Sequence, residues 1–257
     1  MKKVIISLLM VASCGMMPLI LPAQQPVDTI TRAVKNYKNI IRYNLSGGII
    51  FGIDRYVVFG YERMINKRQS ISVNFGKAAL PRIISINTDS FSLTRDLKNK
   101  GTNFSIDWRF YLTKENKFAA PHGLYIGPFY SYNGYKRTNE FSFTRSTGNT
   151  ELATTTTDFK IHTFGAELGY QLVLWKRLAL DMVLVGPGIS SYTLKAKLDG
   201  NLSEKDRTQL REALQQIITQ KFPGMNYVLG DKEFNANGVL DTWSMGFRYI
   251  IHIGFMF

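Results

Sequence analysis

From Ile40 to the end of the chain, apolar and polar positions alternate in runs separated by turn-forming residues. A period of two marks β-strands with two unlike faces. Eight runs stand out, at 40–52, 55–65, 70–79, 102–113, 123–135, 159–174, 178–192 and 240–257. The last is the clearest. Trp243, Met245, Phe247, Tyr249, Ile251, Ile253, Phe255 and Phe257 fall on one face, and Thr242, Ser244, Gly246, Arg248, Ile250, His252 and Gly254 on the other.

The same alternation assigns two faces elsewhere. In the fourth run Phe104, Ile106, Trp108, Phe110 and Leu112 oppose Asn103, Ser105, Asp107, Arg109 and Tyr111. In the sixth, Phe164, Ala166, Leu168, Tyr170 and Leu172 oppose Thr163, Gly165, Glu167, Gly169 and Gln171. The polar face of the other runs carries Arg42, Asn44 and Ser46, then Gly60 and Glu62, then Ser70, Ser72 and Asn74, and finally Asp181. The connections sort by parity. Those after the second, fourth and sixth runs, at 66–69, 114–122 and 175–177, are short, whereas 77–101, 136–158 and 193–239 are long; only the link near Ile53 and Asp54 breaks the second series by being tight. A soluble sandwich has no reason to segregate loops in this way.

Each run reaches the roughly nine to eleven residues that a tilted strand needs to cross a bilayer. Periodicity alone does not separate a membrane barrel from a soluble one with the faces exchanged. The aromatic richness of the apolar face and the charge-poor polar face favour the membrane form. The expected fold is therefore all-β: an eight-stranded antiparallel transmembrane β-barrel over 40–257. One helix is expected in the last extracellular loop, 197–238, where Ser203 caps a stretch with Leu210, Leu214, Ile217 and Ile218 at helical spacing before Pro223-Gly224. That apolar stripe is a candidate lid, interfacial anchor or docking face, or it packs on its own loops.

The amino terminus agrees. Lys2 and Lys3 precede an apolar run from Val4 to Leu21 and a small-residue site ending at Ala23, which is the layout of a secretory signal peptide over 1–23. Val11 to Cys14 also satisfies a lipidation motif, but the apolar run continues past Cys14 and favours ordinary cleavage. Residues 24–39 read as a polar periplasmic lead-in. A net charge of +13 over 257 residues raises the question of nucleic acid, but the basic residues are scattered without a run or motif, so no nucleic-acid partner is expected. The single cysteine excludes an internal disulfide and a multi-cysteine metal site.

Three stretches, Tyr37-Lys38-Asn39-Ile40-Ile41-Arg42-Tyr43-Asn44-Leu45, Gly60-Tyr61-Glu62-Arg63 and Ser70-Ile71-Ser72-Val73-Asn74-Phe75-Gly76, together with Gly169-Tyr170-Gln171 and Gly246-Phe247-Arg248-Tyr249, resemble the small outer-membrane barrels of Bacteroidetes, including families of unknown function. The resemblance implies an eight-stranded barrel in the cell outer membrane and no activity. A terminal aromatic strand such as Tyr249, Ile251, Ile253, Phe255 and Phe257 resembles the signal by which such barrels are recognised by their assembly machinery.

The polar face gathers Arg42, Arg109 and Arg248 with Glu62, Asp107, Glu167 and Asp181. The interior of an eight-stranded barrel is just wide enough for side chains to fill, so these charges are expected to pair into a plug. A closed lumen serving envelope structure or surface interaction is the leading expectation; a narrow channel or small-ligand transporter is the alternative, and a lipid A-modifying enzyme the third. For the last, His162 lies near an outer strand end, His122 in a turn, and His252 near the inner end of the final strand with no serine or acid placed beside it by any motif. No catalytic, metal or cofactor site is expected. The basic turns containing Arg63, Lys67 and Arg68, Lys114 and Lys117, and Lys176 and Arg177 suit anionic headgroups of outer-membrane lipid. An unknown extracellular or periplasmic partner completes the expected contacts.

Overall fold

A computed structural model describes residues 37–79, 91–112, 116, 120–144, 150–199, 204, 208, 212 and 238–257. Eight strands form one closed antiparallel sheet in chain order, β8 pairing back to β1. They are β1 (Asn39–Asn44), β2 (Tyr56–Asn66), β3 (Gln69–Ala78), β4 (Phe91–Tyr111), β5 (Gly123–Thr144), β6 (Thr150–Leu174), β7 (Leu178–Asp199) and β8 (Val239–Met256), with helix α1 (Leu45–Phe51) between β1 and β2. The all-β ring of eight strands matches the alternation. On β8 every odd position from Trp243 to Phe257 is exposed, and the even positions are buried or half-buried.

The first strand is shorter than its expected span of 40–52. Alternation fails at Leu45-Ser46-Gly47-Gly48-Ile49-Ile50-Phe51, and Asn44 starts a helix there by accepting the Gly47 N–H at 2.9 Å. Gly52, at φ +92°, ends it by donating its N–H to the Gly48 carbonyl, a conformation that strongly favours glycine. Ser46 is therefore not a lumen residue. Its hydroxyl donates to Asn44 Oδ1 at 3.2 Å and accepts the Ile251 N–H at 3.1 Å, covering the first β8 amide beyond the ladder with β1. Gly47 and Gly48 are buried against the side chains of Tyr56 and Tyr43, while Ile49 and Ile50 are exposed.

Four strands are longer than the alternation implies. β4, β5, β6 and β7 run 21, 22, 25 and 22 residues, so 91–101 of the expected loop 77–101, most of 136–158 and the first part of 193–239, to Asp199, are paired sheet. Thr154 to Thr157 join both neighbours, pairing with Glu140 to Arg137 on β5 and Asp199 to Ala196 on β7. These extensions lack the apolar outer face that marks the lower wall, but β-branched threonines suit a pleated surface without one. At two of the short turns the strands reverse almost at once, between Asn66 and Gln69 and between Leu174 and Leu178.

Apolar residues inside form small separate groups. Ile40, Ala179 and Met256 pack together near the β1–β8 closure, Met64, Tyr111 and Tyr125 near the short-turn end, and Phe159, Tyr192, Leu194 and Leu240 at the far end. Between these groups the lumen is polar. The β4–β5 ladder is interrupted between the pairs Asp107↔Phe129 and Phe110↔Ile126, where Pro128 has no amide hydrogen to offer. Beside it, a Cβ on Gly127 would collide with the Trp108 carbonyl oxygen and come within 3.1 Å of Arg109 Cα. Gly127→Val is expected to lower the urea midpoint followed by far-ultraviolet circular dichroism. An unchanged midpoint would mean that the β4 backbone yields there without cost.

Candidate functional site

The polar lumen is a single network to which all eight strands contribute. Its centre is Asp181 on β7. Asp181 Oδ2 accepts from Arg42 Nη1 at 2.9 Å, Arg109 Nη2 at 2.9 Å and His252 Nδ1 at 3.0 Å, while Oδ1 accepts from the Tyr125 hydroxyl at 2.7 Å. A carboxylate has acceptor sites only, so His252 must carry its hydrogen on Nδ1.

Asp107 on β4 is the second anchor. Its Oδ1 accepts from Arg248 Nη1 at 2.6 Å, and its Oδ2 from Ser72 at 2.8 Å and Arg42 Nη2 at 3.1 Å. The same Arg42 nitrogen donates to Ser72 Oγ, and Arg42 Nε donates to Asn74 Oδ1 at 3.0 Å. Glu62 on β2 accepts from Ser70 at 2.6 Å and lies 3.0 Å from the Tyr111 hydroxyl, which is also 2.7 Å from Gln171 Oε1. Its other oxygen faces Arg42 at 3.5 Å and Arg109 at 3.4 Å.

Glu167 differs from the other acids. It lies 3.6 Å from Arg109 Nε and 3.5 Å from Arg248 Nη1, yet neither of its oxygens accepts a hydrogen bond. Two aromatic rings complete the packing: the Arg109 guanidinium lies 4.5 Å from the Tyr125 ring centre and that of Arg248 4.8 Å from Phe129.

The structure thus brings together all seven charged residues that the alternation assigns to the interior, and all are buried. His252 departs from expectation. The sequence pattern places no acid beside it, but the β7–β8 register pairs it directly with Asp181, 71 positions earlier. Tyr111 and Gln171, which the alternation also places on the polar face, join the network by hydrogen bonds, and Tyr125 is a further member that the sequence reading does not name, although its inward parity on β5 is the signal for it. His162 lies on the outer face, 2.9 Å from the Tyr130 hydroxyl and beside the Tyr132 ring.

His122 accepts the Val173 N–H on Nδ1 at 3.3 Å, and burial holds its pKa below the usual histidine value. Protonating that nitrogen removes the acceptor, so this contact contributes fully above the ordinary histidine pKa and is lost as pH falls through the lowered value it has in the fold. Val173 amide exchange, measured relative to Leu172, is expected to accelerate at acidic pH; a constant ratio would remove the link to His122.

Of the basic turns, Arg177 donates to the Tyr37 hydroxyl at 2.7 Å and stacks on the Tyr37 ring, and Arg63 donates to Asn39 at 2.9 Å. Lys114 and Lys117 lie outside the described residues, as do the segment 1–23, Cys14 and the stripe of Leu210, Leu214, Ile217 and Ile218. Glu204, Thr208 and Glu212 are described and helical, with Thr208 Oγ1 donating to the Glu204 carbonyl at 3.0 Å. Among the described residues no group of three or more His, Cys, Asp and Glu side chains is arranged to hold a metal ion. No family model matches the chain, and no curated protein matches it significantly.

The network predicts how substitutions act. Removing one partner strands a buried charge, which costs roughly 3–5 kcal/mol. Asp181→Asn and Glu62→Ala are each expected to destabilise the barrel on that scale in denaturant titrations, with Asp181→Asn the more severe because its carboxylate lies 2.9 Å from both Arg42 and Arg109, against 3.5 and 3.4 Å for Glu62. A loss below about 1 kcal/mol for both would show the pairs to be replaceable by neutral contacts.

Proposed function

We propose that the chain is an integral outer-membrane β-barrel protein whose lumen is closed by the charge network, and that it serves envelope structure or surface interaction without conducting solute. The observation that carries this reading is the polarity of the wall. Charge is buried inside, where Arg42 and Arg248 are 2% and 7% exposed, while Trp243, Phe247 and Tyr249 outside are 72%, 61% and 64% exposed. A soluble barrel has the opposite arrangement, since water favours apolar burial. In a bilayer the same outer face is the inexpensive one.

In this reading the short turns and the chain end lie in the periplasm, and the extended β4–β7 strands project outward. Tyr249, Ile251, Ile253, Phe255 and Phe257 form an outer-face stripe suited to recognition by the barrel assembly machinery. Arg63, Arg68 and Arg177 sit where anionic headgroups of the inner leaflet would meet them. A conducting channel is disfavoured because arginine–carboxylate pairs span the lumen from β1 to β4 and β7. A lipid-modifying enzyme is disfavoured because His252, although oriented by Asp181, offers its Nε2 to no hydroxyl.

Two measurements test the proposal. Planar bilayers containing the folded protein are expected to stay silent; a steady conductance would favour transport. Ile251→Arg is expected to cost about 2–4 kcal/mol in lipid, as charge near the middle of an apolar belt does. In a water-soluble barrel the same exposed position would shift stability by less than about 0.5 kcal/mol.

A further inference from the structure

Beyond the network, on the side away from Phe257, the lumen holds a cavity of about 280 Å³. At about 30 Å³ per water this is room for roughly nine waters or one small organic molecule. Its wall has a consistent chemistry. Carboxamides come from Asn44, Asn74, Asn103 and Asn133 and hydroxyls from residues such as Ser131 and Ser190, whereas no carboxylate or lysine lines it. Arg248 and His252 complete the lining where it meets the network, each more than nine-tenths buried. Three of their polar atoms, Arg248 Nε and Nη2 and His252 Nε2, lack a hydrogen-bond partner.

The charge pattern separates three classes of ligand. A cation finds no anionic group in the wall, because the four acids lie in the network against arginine nitrogens. An anion meets only Arg248, whose charge is already answered by Asp107 at 2.6 Å and Glu167 at 3.5 Å. Behind Arg248 the acids and guanidiniums of the network are already paired with one another, which leaves an anion little net attraction. A neutral molecule with several hydroxyls fits what remains. The Asn103–Asn133 bond at 2.7 Å uses one atom of each carboxamide, so Asn103 Oδ1 is left to accept and Asn133 Nδ2 to donate, and the Ser131 hydroxyl does either. Rings of Tyr56, Phe129 and Tyr192 supply apolar wall for the C–H face of such a molecule.

We propose that this cavity is a binding site for a small uncharged polyol of about monosaccharide size. The network closes the lumen beneath it, so the molecule is held and not passed through. The inference goes beyond the proposed envelope role and rests on the cavity, so it stands or falls independently of membrane insertion.

Saturation-transfer NMR on the folded full chain tests it, with D-glucose, N-acetyl-D-glucosamine and myo-inositol as neutral probes and acetate and choline as charged controls. At least one polyol is expected to receive transfer, and Ser131→Phe, which fills the cavity from a residue outside the network, is expected to abolish it with the circular dichroism spectrum unchanged. If that variant fails to fold, Asn133→Leu, which removes a carboxamide bonded to Asn103 at 2.7 Å, takes its place with the same expected loss. Silence of all three polyols, transfer retained in the folded variant, or a stronger response from acetate or choline would each overturn the proposal.

Discussion

Asp181 accepts hydrogen bonds from β1, β4, β5 and β8, and the rest of the interior is arranged so that those donors arrive together. A carboxylate taken out of water is tolerable only when its lone pairs are met. Meeting them here means that strands distant in sequence must hold fixed registers. Asp107 repeats the pattern with Arg42, Arg248 and Ser72, and the two acids share Arg42 between them. The barrel is narrow enough for a guanidinium from one wall to reach the other, and so a polar interior becomes a packed one.

This interior changes what the outer surface has to do. An ordinary soluble domain gains its stability by withdrawing apolar surface from water. Here many large apolar side chains of β8 and its neighbours stay outside, and the enclosed ones, Phe159 and Leu240 among them, form separate clusters of a few residues and not one continuous core. Cohesion inside comes from ion pairs, hydrogen bonds and two arginine–aromatic contacts. Such a design suits a medium that does not compete for hydrogen bonds and does not penalise exposed tyrosine, phenylalanine and isoleucine.

Much of this can be read from the sequence, and the reason is the period of two. Facing is decided by parity, so Arg42, Glu62, Asp107, Arg109, Glu167, Asp181 and Arg248 can be placed inside without knowing any contact. What parity does not supply is neighbourhood. The pairing of His252 with Asp181 depends on the relative register of β7 and β8, and that register is shifted between Val183 and Gly186 near Pro187. Strand ends are the other blind spot. Beyond the apolar wall, β5 and β6 continue with Thr138, Asn139 and the threonine run, polar on both faces, where alternation has no contrast to detect. At Leu45 to Phe51 the opposite error arises: an apolar run next to a strand reads as strand, although Asn44 and Gly52 supply the two ends of a helix.

The brevity of β1 has a mechanical consequence. Its ladder with β8 extends only from Ile40↔Met256 to Asn44↔His252, whereas β5 and β6 stay paired from Gly123↔Gln171 to Thr144↔Thr150. The ring is therefore closed, between the two ends of the barrel sequence, by a ladder of five residue pairs, matched in brevity by the β1–β2 ladder. Arg42 lies in the middle of that seam and reaches across to acids on β2, β4 and β7. One side chain thus acts as a bolt through a joint that the backbone leaves short.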